Sequence, residues 1–245
     1  MQISFFEEFP AKENLAKIKY VSFSTKIYLA AHSLKEFQNI GLSSSNIKEK
    51  IYWPLLQKEE GYWFSPFSNR GSIKRIFKEL EHNPVPVMLD AELPTHPHPQ
   101  LYFTESMNFF RNRSLIQDFI KNRKNIYTAE YFPSSKISSI FFQFLGLSFA
   151  SKNHYPIKMI YSSMHDFGEE FIRAEIKKAK KLYGKRVRIA LGTLSHGIKG
   201  NEPMITAKML ERDMNICKSL DIEEVILFRL GGMNKEYQKV ILKFV

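Results

Sequence analysis

Hydrophobic positions along the chain fall into two alternating patterns. Short, nearly continuous apolar runs such as RVRIALGTL (186–194) and EEVILFRL (223–230) predict strands that are buried on both faces. Between these runs, apolar residues recur every three or four positions, as in SIKRIFKELEHN (72–83), and this spacing predicts amphipathic helices. The pattern therefore predicts a chain in which strands and helices alternate.

Eight strand–helix units of about thirty residues account for the length, and this is the usual size of a βα repeat. The predicted strands begin near Gln2, Thr25, Lys50, Val85, Asn125, Ile157, Arg186 and Glu224. Residues 50–56 and 61–67 both qualify as the third strand. Eight such units predict an α/β fold, a (β/α)8 TIM barrel forming one domain over residues 1–245. An open doubly wound sheet is the alternative, but no GxGxxG motif precedes the first helix.

Charge adds a basic surface to this picture. The chain has 36 Lys and Arg residues against 25 Asp and Glu residues, a formal net charge of +11. Such a charge favours an anionic partner. Most lysines fall on the predicted helices, as in KKAKK (177–181), which is typical of a solvated face. We therefore do not expect nucleic acid as a partner.

Cysteine usage and the apolar segments bear on the compartment. The single cysteine, Cys217, excludes an internal disulfide and fits a reducing compartment. The start MQISFFEEFP lacks the basic and then apolar order of a signal peptide. The longest apolar segment, ISSIFFQFLGLSFA (137–150), is too short and too polar to span a bilayer. These features predict a cytoplasmic protein with no membrane span.

Polar residues of the kinds used in catalysis follow nearly every predicted strand. In a TIM barrel the carboxyl ends of the strands form the mouth that holds the active site. The candidates are Glu7, Glu8, His32, Tyr52, Trp53, Asp90, Glu92, Glu130, His165, Asp166, Ser195, His196 and Arg229. Glu7 and Glu8 face opposite sides of a strand, so only one can join the mouth, and we predict Glu7.

The stretch VPVMLDAELP (85–94) contains the most specific signal. Asp90 and Glu92 are two residues apart at the end of an apolar run, so on a strand they share one face. A like-charged neighbour raises the proton affinity of one carboxyl, which leaves a protonated acid beside an ionised one. Glycoside hydrolysis uses such a pair, with one general acid and one carboxylate that stabilises the positive centre or activates water.

The motif MLDAE (88–92) resembles the Asp-x-Glu end of the fourth strand in glycoside hydrolase barrels of the chitinase and N-acetylmuramidase types. Val85, Val87 and Met88 stand where the longer chitinase signature has further Asp residues. The resemblance implies that Glu92 is the proton donor and that Asp90 assists it.

The remaining candidates complete this hypothesis. A further carboxylate, Glu130 or Glu7, is expected across the mouth. The residues predicted to bind substrate are Tyr52, Trp53, His165, His196 and Arg229. The tyrosine and tryptophan offer apolar faces for sugar rings. The expected substrate is a small molecule or an oligosaccharide, and no cofactor is expected.

Two other functions stay open. A metal-dependent sugar isomerase or epimerase, similar to the xylose-isomerase-like group, would hold a divalent cation with Glu92 or Glu130 and with His165 and His196. In that group a Glu ligand is expected where this chain has Arg229. His96 and His98 in THPHPQ resemble a metal pair, but the flanking prolines favour an exposed loop. The third function is a non-catalytic barrel that binds an anionic polymer.

Overall fold

A computed structural model describes residues 1–94, 99–131, 136–149, 151–165 and 167–245, without the side chains of residues 136, 137 and 139. Its strands are β1 (Gln2–Glu7), β2 (Thr25–Ala31), β3 (Ile47–Pro54), β4 (Val87–Asp90), β5 (Ile126–Glu130), β6 (His154–Met159), β7 (Arg188–Gly192) and β8 (Glu224–Phe228). These strands close into one barrel in chain order. The predicted (β/α)8 fold is confirmed.

Helices follow the strands along the chain. Within the described ranges the α-helices are α1 (Lys12–Leu15), α2 (Leu34–Asn39), α3 (Arg70–Glu81), α4 (Gln100–Thr104), α5 (Phe109–Asn122), α6 (Lys136–Phe144), α7 (Glu169–Tyr183), α8 (Ala207–Ser219) and α9 (Lys235–Ile241). Short 3-10 helices cover Ala16–Tyr20, Lys58–Glu60, Ser106–Asn108, Gly184–Arg186 and Leu230–Gly232. None of the described helices is both long and apolar enough to cross a membrane.

The third strand is the first of its two predicted positions. The segment 61–67 instead begins with Gly61 and Tyr62, whose φ angles of 115° and 59° are left-handed and turn the chain back. After this turn, the backbone N–H of Phe64 donates to the carbonyl oxygen of Asp90 at 2.9 Å. The segment therefore lies along the end of β4.

Contacts divide the chain into two compact units. The first unit comprises Met1–Ala30, Ile40–Ile51 and Ile157–Val245, and the second unit comprises Ala31–Asn39 and Tyr52–Pro156. One domain over residues 1–245 stays a prediction.

A polar layer lies in the core of the first unit. The carboxylate of Glu224 on β8 accepts hydrogen bonds from Ser4 Oγ at 2.6 Å, from the Tyr28 hydroxyl at 3.2 Å and from Arg188 Nε at 3.1 Å. Side chains from four strands converge here, so this is the inner face of the barrel. Because side chains alternate along a strand, Ser4 and Phe6 of β1 share this inner face.

Helix packing in the second unit follows the sequence pattern. The predicted apolar face of α3 is buried, with Ile73 and Ile76 at 0% exposure. The Phe77 ring of this helix stacks on Phe64 at 5.8 Å and on Phe119 of α5 at 3.9 Å between ring centroids. This aromatic stack holds α3, α5 and the segment after β3 together.

Candidate functional site

The pairing of β3 with β4 shows which way each acid of β4 faces. Val87 lies beside Tyr52 in the register of these strands. The ring of Tyr52 packs against Phe37 of α2 at 5.1 Å between centroids, so this face looks toward the helices. Because side chains alternate along a strand, Asp90 faces the other way, toward the inside of the barrel.

The acidic pair lies beside a tyrosine. Asp90 is 5% exposed at the last position of β4, and Glu92 is half-buried two residues later. The hydroxyl of Tyr131, directly after β5, donates to Glu92 Oε2 at 2.7 Å. Burial raises the pKa of Tyr131, and the charges of Glu92 and then Asp90 raise that pKa further. Asp90, Glu92 and Tyr131 are called the acidic cluster below.

Backbone hydrogen bonds hold the acidic cluster in place. The N–H of Ala91 donates to the Ala129 carbonyl oxygen at 2.9 Å, which extends the β4–β5 ladder past Asp90. The Asp90 carbonyl oxygen also accepts from Phe64, as described above. Residues held at a paired strand end keep their relative positions better than residues on a free loop.

Tyr131 was not among the residues predicted from the sequence. It directly follows Glu130, and Glu130 is the residue that the sequence pattern indicates as a candidate at this strand end. The register of β4 and β5 brings Asp90 beside Ala129. Two residues further along each strand, Glu92 and Tyr131 are therefore neighbours. That register is not visible in the sequence.

The predicted aromatic residues of β3 are both buried. Tyr52 is 0% exposed and Trp53 is 3% exposed. Burial raises the pKa of Tyr52, as do the nearby carboxylates of Glu79 and Glu36. A sugar would reach the Tyr52 ring only after that ring left its place against α2. Their predicted contact with substrate stays a prediction.

Glu130 lies in a different environment from Asp90. Its side chain is 0% exposed, accepts a hydrogen bond from Thr128 Oγ1 at 2.6 Å and lies 3.4 Å from His154 Nε2. Ile126 of β5 lies beside Val87, which is on the helix-facing side of β4. Because side chains alternate along a strand, Glu130 lies on that same helix-facing side. These contacts favour a structural role, and its part in catalysis stays a prediction.

Glu7 of the first unit is bound by a cation and two amides. Its Oε1 accepts from Arg229 Nη1 at 2.8 Å and from the Phe9 N–H at 2.9 Å, and its Oε2 accepts from the Gly231 N–H at 2.7 Å. Burial raises the pKa of Glu7 above its ordinary value, although the Arg229 charge and the hydrogen bonds oppose this rise. Arg229 also donates from Nε to the His196 carbonyl oxygen at 2.8 Å.

Ser4, Phe6 and Glu8 are each two residues apart, so Glu8 lies on the same inward-facing side of the strand as Ser4 and Phe6. Glu7 lies on the opposite side. A Cβ atom on Gly197 would lie 3.1 Å from both Glu8 Oε2 and Glu202 Oε1, so the two carboxylates come close to this glycine. Burial favours a high pKa for Glu202, but hydrogen bonds from backbone amides, including Lys199 and Gly197, lower the pKa below its ordinary value. Glu202 was missed because it lies in the loop after β7, away from any strand end.

The remaining predicted residues lie in loops. His196 Nδ1 lies 2.9 Å from the Glu202 carbonyl oxygen. His165 is exposed, and its ring stacks on Phe167 at 4.8 Å between centroids. Asp166 and the pair His96 and His98 lie outside the described residues. In the part of the chain that is described, no group of three or more His, Cys, Asp or Glu side chains is placed to hold a metal ion.

No protein-family model matches this sequence, and no curated protein matches it. Solved structures with a similar fold cover nearly the whole chain. The PgaB (BpsB) glycoside hydrolase domain from Bordetella bronchiseptica has a TM-score of 0.58 and 12% identity, covering 98% of this chain and 97% of that chain. A chitinase from Chromobacterium violaceum has a TM-score of 0.57 and 8% identity, covering 99% and 98%.

A third similar structure contains an oligosaccharide. It is a GH128 endo-beta-1,3-glucanase from Amycolatopsis mediterranei in complex with laminaripentaose, with a TM-score of 0.53 and 8% identity, covering 100% of this chain and 99% of that chain. At these identities the similarity concerns the fold. The resemblance of MLDAE to glycoside hydrolase barrels therefore extends to the fold: the chain forms the same kind of (β/α)8 barrel as these glycoside hydrolases.

Proposed function

We propose that this protein is a glycoside hydrolase that cleaves an oligosaccharide, with Glu92 as the proton donor and Asp90 as the carboxylate that assists it. The observation that carries this proposal is the hydrogen bond from Tyr131 to Glu92, beside a buried Asp90, at the carboxyl end of β4. Active sites of TIM barrels lie at these strand ends.

The chemistry follows from the acidic cluster. To act as the donor, Glu92 must carry a proton before reaction. An ionised Asp90 beside it would raise its proton affinity, and the hydrogen bond from Tyr131 opposes that rise. Glu92 donates that proton to the glycosidic oxygen as the bond to the anomeric carbon breaks. Water adds to the anomeric carbon, and its proton returns to Glu92, directly or through a second carboxylate, so that both acids end in their starting states. The Tyr131 hydroxyl holds Glu92 in position throughout.

The other predicted residues have roles that depend on this site. The further carboxylate expected from the sequence, Glu130 or Glu7, would act as nucleophile or base only after giving up its present contacts. Carboxyl groups about 5 Å apart would give retention of configuration, and roughly 6.5–9.5 Å would give inversion. The contacts of Glu130 with Thr128 and of Glu7 with Arg229 favour scaffold roles for both acids. The residues that remain proposed contacts for substrate are Tyr52, Trp53, His165, His196 and Arg229.

The test measures new reducing ends released from laminaripentaose and from chitin oligosaccharides. Glu92→Gln keeps the shape of the side chain and removes its ionisable proton, so the rate should fall by a factor on the order of 10²–10⁴. Glu211→Gln is the control, since Glu211 pairs with Lys243 at the surface of the first unit and should leave the rate unchanged. A Glu92→Gln variant as active as the wild type would overturn the assignment of the donor.

A further inference from the structure

The loop that follows β7 is built around one glutamate. Glu202 is 7% exposed, and its Oε2 and Oε1 accept hydrogen bonds from the backbone N–H groups of Gly197 and Lys199, each at 3.0 Å. At the base of the loop, the Ile205 N–H donates to the Thr193 carbonyl oxygen at 2.8 Å. Residues 193–205 therefore form a closed loop that the carboxylate of Glu202 holds from within.

His196 joins this loop through one ring nitrogen. Its Nδ1 lies 2.9 Å from the carbonyl oxygen of Glu202. A carbonyl oxygen only accepts hydrogen bonds, so Nδ1 must carry a proton. In the neutral imidazole Nε2 is then an acceptor, because the partner of one ring nitrogen sets the state of the other. His196 is exposed, and its Nε2 makes no hydrogen bond to any residue that the structure describes.

The same loop lies against the carboxyl ends of β8 and β1. A Cβ atom on Gly197, next to His196, would lie 3.0 Å from Phe228 Cζ and 3.1 Å from Glu8 Oε2. Phe228 ends β8 and is on the inner face with Glu224, because the two residues are an even number of positions apart. Glu8 directly follows β1. His196 therefore lies beside strand ends of the kind that bind substrate in a TIM barrel.

We propose that Glu202 is a positioning residue that fixes His196 in the Nδ1–H tautomer, so that Nε2 accepts a hydrogen bond from a sugar hydroxyl group. The carboxylate of Glu202 shapes the loop, and its carbonyl oxygen accepts the Nδ1 proton. Arg229 fixes the backbone on the other side, since its Nε donates to the His196 carbonyl oxygen. The sugar as ligand rests on the proposed hydrolase function, whereas the tautomer of the ring does not.

The first test reads the tautomer by nuclear magnetic resonance. At about pH 8 an ordinary imidazole is neutral, and the long-range proton–nitrogen spectrum of the full chain should show a protonated Nδ1 and an unprotonated Nε2 for His196. The chain has seven histidines, and the signals that are missing in His196→Ala identify this one.

Variants of Glu202 show whether this residue sets the tautomer. Glu202→Ala removes both amide contacts and loosens the loop, so His196 should give the averaged signals of its two neutral tautomers. Glu202→Gln keeps one acceptor oxygen and should show a smaller change in the same direction, which preserves the test if the alanine variant does not fold. Glu211→Ala is the matched control, since Glu211 pairs with Lys243 at the surface of the same unit and its spectrum should equal that of the wild type.

The second test adds laminaripentaose or chitin oligosaccharides. A bound hydroxyl group should shift the Nε2 signal of His196. In the cleavage assay, His196→Ala and Glu202→Ala should raise KM about three- to tenfold and leave kcat nearly unchanged, because this hydrogen bond is present before and during the reaction. An inactive wild type that shows the Nδ1–H ring would overturn the hydrolase and support the positioning by Glu202.

Other results would contradict the inference directly. A wild-type ring with the proton on Nε2 would overturn it. Identical His196 signals in Glu202→Ala and Glu211→Ala would show that Glu202 does not position the ring. An oligosaccharide that His196→Ala cleaves with the KM of the wild type would exclude the hydroxyl contact.

Discussion

Two glutamates near strand ends have very different surroundings. Glu7 in the first unit is 0% exposed and binds the cation of Arg229 and two backbone amides. Glu92 in the second unit is half-buried and accepts from the neutral hydroxyl of Tyr131. An ion pair with a buried cation favours a structural role for an acid, because protonating the acid would break the pair. An acid that is accessible and held by a hydroxyl can exchange its proton with a substrate.

The largest expected effect comes from breaking the scaffold pair. Arg229→Met leaves Glu7 buried without its cation, so the free energy of unfolding should fall by about 3–5 kcal/mol at neutral pH. Urea denaturation measures this loss. Part of the loss should be recovered on lowering the pH, because a protonated Glu7 needs no cation. A variant as stable as the wild type would show that the pair does not support the fold.

The pH dependence of stability tests Glu7 itself. Its pKa is raised in the folded state from the ordinary 4.5, so the folded chain holds this proton more tightly than the unfolded chain. The resulting stability is fully present below pH 4.5 and is lost as the pH rises through the folded pKa. Glu7→Gln should remove this slope from a plot of unfolding free energy against pH. Identical slopes in the two proteins would contradict the raised pKa.

The acidic cluster should respond in rate rather than in stability. Glu92 becomes charged as it gives up its proton, and the Tyr131 hydroxyl stabilises that charge by a hydrogen bond worth about 1.5–3 kcal/mol. Tyr131→Phe removes this bond, so kcat/KM for a cleaved glycan should fall at least about tenfold. Loss of this donor also disfavours ionised Glu92, so the basic limb of the pH–rate profile should move to higher pH. Tyr102→Phe is the control, since that hydroxyl donates to the Pro94 carbonyl oxygen. If the two variants had the same pH–rate profile, Tyr131 would have no part in the reaction.

Glu130 is a second buried acid, and it lies in the same unit as the acidic cluster. Thr128→Val keeps the side-chain shape and removes the hydroxyl that donates to Glu130. The unfolding free energy should fall by about 1–3 kcal/mol, because a buried acceptor loses its donor. The rate of glycan cleavage should not change. A lower rate with unchanged stability would instead place Glu130 in the reaction.

The smallest effect is expected at a partly exposed ion pair. Glu60 accepts from Arg75 at 3.0 and 2.9 Å, and hydrogen bonding to Arg75 lowers the pKa of Glu60 to about 2. Its stability contribution is present above the ordinary pKa of 4.5 and is lost as the pH falls through about 2. Glu60→Gln should cost about 0.2–1 kcal/mol at neutral pH. Urea midpoints of variant and wild type should converge in acid.

The hydrophobic pattern of the sequence determined the barrel. Strands β1, β2 and β8 begin at Gln2, Thr25 and Glu224, as the apolar runs predict, and the apolar face of α3 is buried as its spacing predicts. The same pattern picked out Asp90 and Glu92, because alternation along one strand is enough to place two acids on one face. These are local properties, so neighbouring residues decide them.

Tertiary structure alone decided which side of each strand faces inward. In strands buried on both faces nearly every residue is apolar, so the sequence pattern does not mark the inner side. For this reason Glu8, and not Glu7, follows the inner-face residues Ser4 and Phe6. Tyr131 became the partner of Glu92 only through the register of β5 against β4, since two strand ends far apart along the chain meet only when the barrel closes.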